Sequence, residues 1–129
     1  MAMAVAATVV VLGGCGASAP RLDGARRAAT AFEETLARAD YNAACELLAP
    51  QTRQQLEQDS DKPCGPALAD EKLPTADPVR TTQMYGRQAL LQLDGDTLFL
   101  SQFDDGWKIV AAGCRPQPGK PYRCSLKGG

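Results

Sequence analysis

Beyond Pro78 the apolar pattern of this chain changes period, from that of a helix face to the alternation of a strand. No other feature constrains the fold as much. Helices come first and strands second, and the sheet needs the helices to cover one of its faces. Upstream, Leu22, Ala25, Ala29, Phe32 and Leu36 fall on one helix face, with Glu33, Glu34 and Arg38 on the others. Asp40 is a good N-cap for a short second helix whose Ala43, Ala44, Leu47 and Leu48 can face the first; Pro50 ends it. Thr52 can cap a third turn carrying Leu56, and the polar run 58–62 leads into a loop. A further short helix is expected within 64–73, closed by Pro74.

Downstream, residues 79–85, 88–93, 97–103 and 107–112 read as four strands. Asp94-Gly95 is a strong two-residue hairpin signal, and Tyr85-Gly86 and Asp104-Asp105-Gly106 are turn sequences. The expected fold is therefore α+β, with N-terminal helices packed on an antiparallel four-stranded meander. Pro116, Pro118 and Pro121 are expected to exclude regular structure until Tyr122-Arg123-Cys124 returns to the last strand.

The chain has 5 cysteines: Cys15, Cys45, Cys64, Cys114 and Cys124. Cys15 closes the segment Leu12-Gly13-Gly14-Cys15, which follows an uncharged, mostly apolar run from Met1. That run suits the hydrophobic region of a signal peptide and is shorter than the ~20 apolar residues of a spanning helix. The segment resembles the lipobox of bacterial lipoproteins. The resemblance implies cleavage before Cys15, a diacylglycerol on its thiol, and anchorage at the outer face of the cytoplasmic membrane. The first basic residue is Arg21; a start codon placed too far downstream would explain the missing basic n-region. Residues 1–14 then form the leader, 15–21 the lipidated cysteine and a short tether, and 22–129 the domain. Extended, Gly16 to Pro20 reaches about 20 Å, so the domain sits close to the bilayer.

Lipidation of Cys15 leaves an even set of four cysteines, which an oxidising space lets pair. Three pairings are open. Sequence proximity favours Cys45–Cys64 and Cys114–Cys124, and loops of this size contribute on the order of 3 kcal/mol each in the chain-entropy model. With His at 0 and no C-x-x-C pair, neither a structural zinc site nor a redox dithiol fits. The formal net charge of −1 argues against nucleic acid as a partner. No cofactor and no metal is expected.

Several segments together carry a second resemblance: Ala39-Asp40-Tyr41-Asn42-Ala43-Ala44-Cys45, Leu48-Ala49-Pro50, Asp96-Thr97-Leu98-Phe99-Leu100, Gly106-Trp107, Ala111-Ala112-Gly113-Cys114-Arg115-Pro116 and Pro121-Tyr122-Arg123-Cys124. The chain resembles the small NTF2-like lipoproteins of high-GC Gram-positive bacteria, over roughly residues 22–126. That likeness implies a cone of helices on a curved four-stranded sheet and a membrane address, with no established activity. It also implies a pairing of two copies through the open sheet, so a homodimer is one expectation.

Two functional readings follow. One is a non-catalytic binding domain for an envelope protein, a small apolar ligand or a wall component. The other is a small isomerase or dehydratase using an Asp or Tyr in the cone. The pocket candidates are Phe32, Tyr41, Tyr85, Phe99 and Trp107, with Asp40 and Asp77 the nearest acids. Asp40 is better explained as a cap, Tyr41 as an aromatic packed on the first helix, and Trp107 as core beside Phe103. A core filled by Phe32, Leu36, Leu91, Phe99 and Trp107 would favour binding, and a deep apolar cavity holding a carboxylate of raised pKa would favour chemistry. Asp94, Asp96, Asp104 and Asp105 could be pictured as calcium ligands, but turn chemistry accounts for them. The basic residues Lys108, Arg115, Lys120, Arg123 and Lys127 form a C-terminal stretch able to touch anionic headgroups or wall polymers.

Overall fold

The computed structural model describes residues 18–128. The lipobox and Cys15 lie outside the described residues. Four helices precede five strands: α1 (Ala19–Ala37), α2 (Tyr41–Glu46), α3 (Pro50–Ser60), α4 (Cys64–Asp70), β1 (Asp77–Tyr85), β2 (Gln88–Asp94), β3 (Asp96–Phe103), β4 (Gly106–Gln117) and β5 (Lys120–Lys127). The strands form one antiparallel meander in the order β1-β2-β3-β4-β5. The α+β class and the helices-then-strands order are as expected. The sheet has one strand more than expected.

α1 buries Ala25, Ala29, Phe32 and Leu36, the stripe read from the sequence. It begins at Ala19, inside the expected tether, with Pro20 in its first turn, where a missing N–H is harmless. Glu33, expected on an outer face, is buried as well. It lies one turn beyond Ala29 and so shares the edge of the buried stripe. Asp40 caps α2 as expected, accepting the Ala43 N–H at 3.2 Å.

Pro50 does not close α2, which ends at Glu46; it opens α3. Between the two helices, the Ala49 N–H donates to the Ile109 carbonyl and the Ile109 N–H to the Leu47 carbonyl, tying the connection to β4. Thr52 is no cap. It is fully buried in the first turn of α3, and its hydroxyl donates to the Val110 carbonyl at 2.9 Å. The polar run from Gln58 carries α3 to Ser60 and then leads into the turn at Asp61, and α4 ends at Asp70, short of Leu73.

Two disulfides, Cys45–Cys64 and Cys114–Cys124, close as expected. The first joins α2 to the start of α4. The second links directly opposed positions of β4 and β5. This hairpin is where the expectation of irregular structure fails. Pro116 sits at a register shift between Arg115 and Gln117, where β5 bulges, placing Pro121 and Tyr122 opposite it. Pro118 and Gly119 make the turn, and Pro121 falls on β5, an edge strand with no outer neighbour to need its N–H.

Helix and sheet residues form one core of Ala29, Phe32, Leu68, Leu91, Leu98, Leu100, Ile109 and Leu126 among others. Trp107 packs on it across Gly24, whose missing side chain leaves room: a Cβ there would stand 3.1 Å from the indole. Among the described residues no helix covers the other sheet face. Leu90 of β2, Phe99 of β3 and Ala111 of β4 form a cross-strand row on it.

Candidate functional site

The five aromatic pocket candidates do not converge. Phe32 is fully buried in the core, and Tyr41 packs against that core from the start of α2. Tyr85 is 61% exposed, its hydroxyl donating to Gln83 Oε1 at 2.7 Å. Phe99 lies on the helix-free face, edge-on to Tyr122 at 5.3 Å between ring centroids. Trp107 carries the Arg21 guanidinium 6.0 Å from its ring centroid, a cation–π contact at the sheet end of α1.

Two surfaces stand out instead. The first is a pocket of about 240 Å³ where α1 meets β1, bordered by Glu33, Glu34, Asp77, Val79 and Leu93 among others. Glu33 Oε2 accepts the Ala76 N–H at 2.9 Å. Its other oxygen, Oε1, is buried with no hydrogen-bond partner. Burial pushes the Glu33 carboxyl up to about 7; the Ala76 N–H opposes this, and the negative charges of Asp96 and Asp77 add to it. Asp77 was among the acids singled out from the sequence, whereas Glu33 was not. Its four-residue spacing from Ala29 was the available signal.

Asp96 stands behind this pocket as a structural group. It accepts N–H bonds from Thr97 at 2.8 Å, Gly113 at 3.0 Å and Cys114 at 3.1 Å, pinning β4 beside the start of β3. Burial nevertheless raises its carboxyl above the ordinary value. The other turn acids pair with cations: Asp94 with Arg80, Asp104 with Arg87 and Asp105 with Lys108. Among the described residues no group of His, Cys, Asp and Glu converges to hold a metal ion.

An acid–phenol pair of the kind an isomerase needs does not assemble around Glu33. None of Tyr41, Tyr85 and Tyr122 borders its pocket.

The second surface is the helix-free sheet face. A groove of about 510 Å³ runs past Gln88, Ser101, Phe103 and Val110 toward Pro50. It shares Gln88, Ser101 and Val110 with a hollow of about 270 Å³ against Phe99 and Tyr122. On the β4–β5 hairpin, Arg115 of β4 directly opposes Arg123 of β5, and neither has an ion-pair partner among the described residues. Like charges placed opposite one another weaken a sheet unless an anion sits nearby.

Compared with protein-family models, curated proteins and solved structures, the chain matches none.

Proposed function

We propose that this chain is a membrane-anchored extracytoplasmic lipoprotein, lipidated at Cys15, whose NTF2-like cone is a non-catalytic binding domain for an envelope protein. The helix-free sheet face carries the reading. Its groove is bordered by Phe103 and Val110 and continues to Phe99 and Tyr122, while the space under the helices is filled by Phe32, Leu91, Leu98 and Ile109. A filled interior leaves the outer face as the larger place for recognition. The pairing of all four cysteines beyond Cys15 supports an oxidising compartment. The unpaired Arg115 and Arg123 suit a domain held close to anionic headgroups.

The test is photocrosslinking in the native envelope. A benzophenone side chain at Phe103 is expected to yield one discrete adduct, and the same group at exposed Gln58 on α3 none. An adduct of twice the chain mass would identify the partner as a second copy. Equal adducts from both positions, or none from either, would contradict the reading.

A further inference from the structure

We propose that the pocket between α1 and β1 is a binding site for a small organic cation, a primary ammonium on a short apolar body. It is separate from the groove on the helix-free face, and neither depends on the other.

The carboxylate of Glu33 carries this inference. The residue is 5% exposed and borders the pocket, yet Oε1 has no donor. A buried acceptor left without a donor destabilises the fold, more so when it is charged, so a donor brought by a ligand recovers that loss. A neutral donor would satisfy the hydrogen bond, but the surroundings favour a cation. Glu34 and Asp77 border the same pocket, Asp96 adds its field from β3, and no Lys or Arg lines it. Arg115 acts on Asp96, and Arg80 on β1 is held by Asp94.

A metal ion is a poor occupant, because these carboxylates do not converge on one point. Beside Thr30 and Thr75, the remaining wall is aliphatic: Ala37, Ala76, Pro78, Val79 and Leu93. At about 240 Å³ the pocket has room for a short alkyl chain. Charge at one end and hydrocarbon along the wall together describe an alkylammonium. Seating it takes a small turn of the Glu33 side chain, since Oε1 is closed to water in this structure.

The probe is n-butylammonium chloride, titrated at pH 8 into the full chain with its disulfides intact and followed by amide NMR shifts. Saturable shifts at Ala76 and Val79 are expected, with n-butanol and sodium chloride producing none. Glu33→Gln is expected to weaken binding about tenfold or more, the scale of one hydrogen bond to a charged group. Asp77→Asn, on an exposed residue, is expected to weaken it about threefold and decides the matter should Glu33→Gln fail to fold. Shifts that never saturate, that n-butanol reproduces, or that persist with equal affinity in the variants would overturn the proposal.

Discussion

Glu33 is the residue whose setting departs furthest from what its identity suggests. Its carboxyl binds a proton more tightly in the folded chain, up to about 7, than in the unfolded chain near the ordinary 4.5. The folded state therefore gains stability from the protonated form in full below pH 4.5, and loses that gain as pH rises through about 7. Glu71 and Asp96 are raised as well, both chiefly by burial, so they tilt the profile the same way. Urea midpoints are expected to fall between pH 5 and pH 8. Glu33→Gln should remove much of that slope, on the order of 2–3 kcal/mol across the window. An unchanged slope in the variant would mean that Glu33 reaches water when ionised. The spacing from Ala29 made burial of Glu33 readable, but its charge led to a surface assignment. What decides it is the Ala76 N–H, which comes from 43 residues away and leaves no local trace.

At the scale of elements, the α1 stripe, the Asp40 cap and the Asp94-Gly95 hairpin follow from local chemistry and were legible. β5 was not. Three prolines within six residues argue against a strand unless the strand lies at an edge and itself bulges, and both conditions are tertiary facts. The same applies to Thr52: a hydroxyl near a helix start reads as a cap until β4 supplies the Val110 carbonyl. Gly113 lies within β4, beside β5. Its φ is +64, and a Cβ there would stand 3.0 Å from Ser125 Oγ and 3.1 Å from Leu73 Cδ2. Gly113→Val is expected to cost about 2–3 kcal/mol in urea unfolding, combining a left-handed backbone with two close contacts. The same substitution at Gly119 (φ +65), with open space around it, carries the backbone penalty alone and should cost about half as much. Equal losses would show that packing at Gly113 plays no part.

For the whole molecule, the order of helices and strands and both disulfide pairings were readable, because they follow from hydrophobic period and chain proximity. The two recognition surfaces were not. Each is assembled from residues of separate elements, and the aromatic residues that looked like pocket formers are divided between the core, solvent and the helix-free face. The proposed extracytoplasmic reading joins one thiol carrying lipid to the four closed in pairs. The intact mass of the protein taken from its own envelope, recorded before any reductant is added and after exposure to iodoacetamide, tests this most directly. The expected mass is that of residues 15–129 with a diacylglycerol on Cys15, less two hydrogens for each of the two bridges, and with no carbamidomethyl group. A mass showing residues 1–14 still attached, no acyl group, or alkylated cysteines would contradict it.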